Sequence, residues 1–337
     1  MKGKAMRIPL LERLLLVTAA LLGASQAAAQ APAKLTPAVL QLSWSIQGRD
    51  APFVLGIQRG YYRDAGIDLT INEGNGSLVS AQTAATGKSD FASADVTTGI
   101  LLAAKGAKIK SIFVYQPKGG LAVAYHPGTS IAKMADLKGL RIIRAANDNA
   151  SQVFTALLAK NNMSWDDLNV TIVGQGAFES SFLADPKSIL LGNFYSTFQA
   201  MKLRNPSMQY VLYSDLGLTV MSLGVLASEK TLAERPDLVR RFLAATVRAF
   251  EASLRDPEAA IKAVQERFPL VAKPEVNRLE LAASLSLLRT PENEGKVPGW
   301  TSPQQWEATV DVLRGYAGLS TSLPVSSFYT NDFLPQK

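Results

Sequence analysis

Short apolar runs bounded by turn residues recur along the chain, at Val39–Trp44, Leu69–Ile71, Ile109–Tyr115, Leu121–Tyr125, Arg141–Arg144, Val170–Val173, Ile189–Leu191, Tyr210–Tyr213 and Thr219–Leu226. Each has the length of a strand, and a stretch with helical spacing lies between most neighbours. This alternation predicts an α/β architecture with largely parallel strands, since a parallel pair needs a crossover and a helix usually supplies it. Helix ends are well marked. Gly60 follows the first helical stretch, and Gly87 and Gly106 close two more; Asp256-Pro257 and Ser302-Pro303 set a capping residue before proline, with Gln305 at the capping-box spacing from Ser302. The longest helical pattern, Pro236–Arg255, brings Leu238, Phe242, Val247, Phe250 and Leu254 toward one face, and the chain beyond Leu226 reads as mainly helical. No linker, repeat or charge run divides the chain, so two lobes could be made only by strands crossing between them.

At 337 residues the chain is long enough for about two domains. Its 47% apolar and 19% charged residues are ordinary globular usage and exclude a disordered or low-complexity protein. The absence of cysteine removes a disulfide framework, a thiolate zinc site, a cysteine nucleophile and a lipid-modified cysteine. The formal charge of +7 comes partly from the first residues and partly from cations scattered on helical patterns, such as Arg240, Arg241 and Arg248. Solvated helix faces account for these, and nucleic-acid binding is not expected.

Lys2, Lys4, Arg7 and Arg13 precede an apolar run, Leu14 to Ala24, and the small residues Ala27-Ala28-Ala29. This order reads as a signal peptide spanning residues 1–29. The apolar run is too short for a membrane span, which takes about 20 residues. Cleavage after Ala29 would lower the formal charge to +4 and release a soluble, exported protein that is not a lipoprotein.

From Leu40 to Gly76 the chain reads as a strand ending at Trp44, a polar turn, a helix closing at Gly60-Tyr61-Tyr62, then Ala65-Gly66-Ile67-Asp68-Leu69 and a strand ending in Glu73-Gly74-Asn75-Gly76-Ser77. Later stretches agree with this opening: Gly87-Lys88-Ser89-Asp90-Phe91-Ala92, Ala135-Asp136-Leu137-Lys138-Gly139-Leu140, and Glu234-Arg235-Pro236-Asp237-Leu238-Val239 leading to Asp256-Pro257-Glu258-Ala259-Ala260. Together they resemble the periplasmic solute-binding proteins of the thiamine-pyrimidine-synthase-like family, relatives of the alkanesulfonate, taurine and nitrate binders. The resemblance implies a two-lobed fold with a ligand cleft between lobes and a helical C-terminal region. Lobe 1 would span 30–123 and 223–337 and lobe 2 124–222, with crossovers near Leu121–His126 and Met221–Ser228. Two stretches differ from the usual pattern. The turn after Trp44 reads Ser45-Ile46-Gln47-Gly48-Arg49-Asp50 where pyrimidine binders often carry Asn and His, and the second lobe has Ala184-Asp185-Pro186-Lys187-Ser188-Ile189 before a strand end expected to face the cleft.

Ligands of open α/β sheets bind beyond the carboxyl ends of strands, where helix N-termini present free N–H groups. Trp44 ends a strand and offers a broad face to an aromatic solute, with a core role as its alternative. Gln47 and Arg49 lie in the turn that follows; Arg49 suits a carboxylate, sulfonate or phosphate, or else pairs with Asp50. Asn75, Gly76 and Ser77 are candidates in a turn before a helix, where an ordinary turn and cap would have the same composition. Asp95 is either a ligand acceptor or a cap. Asn147 and Asn149 could read a heterocycle edge or form Asx turns. Asn193 and Tyr195 follow a strand of the second lobe. Tyr61 and Tyr62 read as packing residues, and Trp165, Trp300 and Trp306 as partly buried ones.

The family also includes an intracellular enzyme that makes the thiamine pyrimidine, whose relatives use a histidine, a cofactor-linked lysine and a cysteine-rich metal motif. This chain has no cysteine, and its one histidine, His126, stands beside a Pro-Gly turn. A nucleophile elbow and a phosphate-binding loop are also missing from the sequence. The resulting expectation is a monomeric periplasmic binding component of an ABC importer, not an enzyme, with neither metal nor cofactor. It would capture an aromatic or heteroaromatic solute, pyrimidine-like or acidic, and pass it to a permease and its ATPase. A sulfonate, nitrate or taurine binder, a ligand sensor and a periplasmic enzyme are the alternatives.

Overall fold

The computed structural model describes residues 34–145, 149–270 and 273–336, without the side chains of Asn149 and Gln175. The expected leader and Asn147 lie outside the described residues. From Thr36 onward the chain is one compact unit built on two five-stranded sheets. The first holds β1 (Thr36–Leu42), β2 (Ile67–Asn72), β3 (Phe91–Asp95), β4 (Ile109–Val114) and, after a long excursion, β10 (Leu223–Ser228), in the order β2-β1-β3-β10-β4. The second holds β5 (Leu121–Tyr125), β6 (Arg141–Arg144), β7 (Asn169–Ile172), β8 (Ser188–Asn193) and β9 (Gln209–Leu212), in the order β7-β6-β8-β5-β9. Helices α1 (Ala51–Gln58), α2 (Tyr61–Asp64), α3 (Ser77–Ala85) and α4 (Val96–Ala104) belong to the first sheet, and α5 (Asn149–Lys160), α6 (Phe178–Leu183) and α7 (Thr197–Arg204) to the second. The C-terminal region comprises α8 (Glu229–Glu234), α9 (Pro236–Arg255), α10 (Pro257–Arg267), α11 (Pro274–Ser286) and α12 (Pro303–Tyr316).

Half of the strand pairings are antiparallel, which corrects the expectation of largely parallel sheets. β1 runs parallel to β2 and β3, and β6 to β7 and β8, but β10 opposes β3 and β4, while β5 opposes β8 and β9. The exceptions are the two strands entered from the other sheet. The chain leaves β4 at a carboxyl edge and enters β5 directly, without a helix to carry it back across the sheet, so β5 must run the other way. The same holds for β9 and β10. These passages occupy residues 115–120 and 213–222, just ahead of the strands at which the sequence placed them. One consequence concerns His126: it lies past the far end of β5, where its ring stacks on Phe182 and Nε2 meets the Phe182 carbonyl at 2.9 Å.

Burial explains the elements. β1 turns Ala38, Leu40 and Leu42 inward on alternate positions, as a strand with one buried face should. β3, sequence FASAD, is buried throughout; its small residues lack the β-branched signature, so its apolar pattern did not read as a strand. α9 starts with Pro236 in its first turn and buries Val239, Phe242, Leu243 and Phe250. Phe242 stacks on Phe91 of β3 at 3.9 Å and Phe250 meets Phe53 of α1 edge-on. On the opposite face of the same sheet, Ala81, Ile100 and Trp306 pack with Ala94 and Leu226. Trp306 is fully buried rather than partly so, because its indole N–H reaches Thr301 Oγ1 at 2.8 Å and its ring stacks on Tyr329. Leu254, by contrast, is exposed. The capping box of α12 forms as expected, with Ser302 N–H donating to Gln305 Oε1 and Gln305 N–H to Ser302 Oγ. Among the described residues no helix is long and apolar enough to cross a membrane.

Candidate functional site

The carboxyl ends of β1, β2 and β3 share one edge of the first sheet, and the loop after β1 is the most constrained feature there. Its backbone donors are taken by carboxylates from three directions. Ile46 N–H donates to Glu73 Oε1 at 2.7 Å, Gln47 N–H to Asp50 Oδ2 at 3.1 Å, and Gly48 N–H to Glu280 Oε2 of α11 at 2.8 Å. A side chain at Gly48 would place its Cβ 2.0 Å from the Asn277 carbonyl, so only glycine lets α11 seat against the loop. Arg49 is held by this frame. It is 7% exposed, Nη1 donates to Gln47 Oε1, Nε lies 3.9 Å from Asp50 Oδ2, and Nε has no hydrogen-bond acceptor among the described residues.

The guanidinium faces the second sheet. It lies 5.6 Å from the ring centre of Tyr195, just past the carboxyl end of β8, in a cation–π contact between the two halves of the fold. Tyr195 fits because Gly120, in the first passage between the sheets, has no side chain: a Cβ there would stand 2.3 Å from the ring. Burial works against the Arg49 charge, but Asp50 and further acidic neighbours outweigh it and keep the group firmly protonated. Burial pushes the Asp50 carboxyl up, and Arg49 only partly offsets this. Burial raises the Tyr195 phenol as well. Glu280, 4% exposed, is pushed up to about 7 by burial, against the opposing pull of its bond to Gly48 and of Arg49.

The sequence candidates do not all converge. Gln47, Arg49 and Tyr195 come together. Asp95 joins their surroundings as the N-cap of α4: Oδ1 accepts from the Thr97 amide and hydroxyl, and Oδ2 from Ser222 Oγ at 3.1 Å. Both oxygens are therefore occupied within the fold, the capping role that the sequence had left open. Ser77 is the first residue of α3 and its hydroxyl accepts from Asp95 N–H at 3.1 Å, while Gly76, with φ of +102°, supplies the N-cap. Asn193, the half-buried last residue of β8, is paired in register with Leu121. Trp44 and Asn75 are exposed on the same edge; at 49% exposed, Trp44 is not a core residue. Leu78 and Val79, in the first turn of α3, are exposed as well, which adds apolar surface to this edge. Asn147 and the side chain of Asn149 lie outside the described residues.

Several residues here escaped the sequence reading: Tyr115, whose hydroxyl pairs with Ser93 at 2.7 Å, Gln116, Ser222, Asn277 and Glu280. One signal was present. Asn277, Glu280 and Ser284 stand at helical spacing among Leu281 and Ala283, a polar stripe where a buried face should be apolar.

A family model described as NMT1/THI5 like matches residues 48–260. The riboflavin-binding protein RibY of Chloroflexus aurantiacus is 25% identical over 309 residues, covering 89% of this chain and 87% of RibY. Among solved structures, the aliphatic sulphonate-binding protein SsuA of Escherichia coli superposes with a TM-score of 0.65 at 15% identity, over 86% of this chain and 91% of its own. The alkanesulfonate-binding SsuA of Xanthomonas axonopodis pv. citri, bound to MOPS, gives 0.62 at 19%, over 88% and 99%. At these identities the structures establish the fold, that of periplasmic binding proteins, as the motifs implied.

Proposed function

The chain belongs to the NMT1/THI5-like family, and from that membership we propose that it is the solute-capturing component of an ATP-driven importer, working in the periplasm as a monomer and delivering its solute to a permease and ATPase. The solute is a small heteroaromatic molecule with a polar or acidic edge. One observation carries this reading: a buried arginine with an unfilled Nε donor, set between the two sheets and facing Tyr195. A buried cation is costly without a purpose, and a guanidinium directs paired donors at carbonyl or acidic oxygens. Trp44, exposed at the same edge, supplies a stacking face, and a relative that binds riboflavin, whose ring system includes a fused pyrimidine, supports the aromatic class. Solute binding would draw the two lobes together only to the extent that it contacts the closed arrangement more strongly. Arg49 taken alone also favours a second reading, a small sulfonate or nitrate.

Thermal melting of the purified protein against riboflavin, uracil, aromatic acids, alkanesulfonates, taurine and nitrate tests both. A solute at 100 times its dissociation constant adds about 2.7 kcal/mol of stability. A shift for one class, with the solute recovered chemically unchanged, is the expected result. No shift together with no co-purified small molecule in native mass spectrometry would overturn the reading, and a converted solute would make the protein an enzyme.

A further inference from the structure

The buried face of α11 is polar where helix packing calls for apolar side chains. Asn277, Glu280 and Ser284 are each no more than 4% exposed and occupy positions i, i+3 and i+7. Their contacts run from the Arg49 loop toward the glycine that abuts Tyr195. At one end the Asn277 carbonyl presses on Gly48 and Glu280 holds the Gly48 N–H. Further along, Ser284 Oγ accepts from Gln116 Nε2 at 3.0 Å. Just past the helix, the Leu287 side chain approaches Gly120 to within 3.2 Å of its would-be Cβ, the position that also abuts Tyr195. Along this line two further polar atoms are buried with no partner among the described residues: the Asn277 Nδ2 donor and the Gln116 Oε1 acceptor. Gln116 is fully buried. Buried polar groups in native folds are almost always paired, so a group left open calls for an explanation.

Resting on the reading of the Arg49–Tyr195 region as the solute site, we infer that α11 and Gln116 form its floor and select a solute that offers a hydrogen-bond donor beside its acceptors. Arg49 Nε and Asn277 Nδ2 both call for acceptors, whereas Gln116 Oε1 calls for an N–H or O–H. An imide or lactam edge, as on a pyrimidinedione, carries both kinds of group. Nitrate and simple sulfonates carry acceptors only and would leave the Gln116 carbonyl unpaired, a penalty that hydrogen-bonding sites impose strongly on analogues lacking the matching group. The geometry thus favours the heteroaromatic class over the anion class.

The test uses riboflavin and uracil as imide probes and nitrate and methanesulfonate as acceptor-only probes, with the variants Gln116→Met, Asn277→Leu and Ser284→Ala. At least one imide probe should raise the melting temperature while both anions leave it unchanged. Gln116→Met and Asn277→Leu should each weaken that probe at least tenfold, and Ser284→Ala, which removes only the internal partner, less than threefold. Equal losses in all three variants would mean a structural role and overturn the inference. So would a shift from nitrate or methanesulfonate with none from the imides, although solute capture itself would then stand. Should no probe bind, the ligand-free proteins still decide: Asn277→Leu should melt higher than the parent, because an unpaired buried amide gives way to an apolar group, and a lower melting temperature would show that the amide serves the fold and would overturn the floor.

Discussion

Arg49 carries its charge largely out of water, and its neighbours define what it can do. Gln47 Oε1 and Asp50 fix the direction of the guanidinium, while Nε has no hydrogen bond among the described residues. Replacing it by glutamine should therefore weaken solutes with an acidic or carbonyl edge at least tenfold and change purely apolar ones little; calorimetric titration of paired ligands checks this, and equal loss for both would indicate damage to the loop. Trp44 differs because half of its surface is exposed. Trp44→Ala should leave the melting temperature of the ligand-free protein nearly unchanged while weakening an aromatic solute at least tenfold, and unchanged affinity would retire the stacking role. Glu280 gives a pH-dependent signature. Its folded value of about 7 lies above the ordinary glutamate value, so the folded state holds this proton more tightly than the unfolded chain does. The stability contribution is complete below about pH 4.5 and is lost as pH rises through 7, with a ceiling of about 3 kcal/mol. Glu280→Gln keeps an acceptor for Gly48 and removes the titration. Urea unfolding at pH 5 and pH 8.5 should show the variant gaining on the parent only at the higher pH.

The helix that matters most for the site is α11, although it lies far along the chain from the loop it supports. Its contact with Gly48 leaves no room for a Cβ. Gly48→Ala should destabilise the protein by roughly 1–3 kcal/mol, the usual cost of forcing extra atoms into a packed region, and should weaken solute binding as well, because the loop that moves carries Arg49. A loss of stability with full affinity would separate α11 from the site. Much of the element structure was legible in the chain: β5, β6 and α9 have the expected boundaries, since alternation and helical spacing arise from local backbone geometry. β3 was not, because Phe91–Asp95 becomes a strand through burial between β1 and β10 rather than through any preference of its small residues. The polar stripe of α11 was visible but uninterpretable until its neighbours were known.

Two passages join the sheets, at residues 115–120 and 213–222, and any closure under the proposed function would turn on them. Saturating solute should lower the radius of gyration in small-angle scattering if capture involves closure, and an unchanged radius would mean that the two halves are already together without solute. Composition and local pattern in the chain established α/β layering, a helical C-terminal region, the absence of cysteine chemistry and a basic, apolar leader-like start, because these depend on residues that are neighbours in sequence. The motifs around Gly60, Gly87 and Asp256 extended this to a family. Strand direction and the composition of the site came from long-range packing. β5 and β10 run backward because of where the chain enters them, and Gly48 meets Glu280 across 232 residues of sequence. Pairing with Asp50 at the surface is one sequence reading of Arg49; the fold instead buries both and turns the guanidinium toward Tyr195. A side chain's partners depend on which distant elements exclude water around it, and no local spacing rule encodes that.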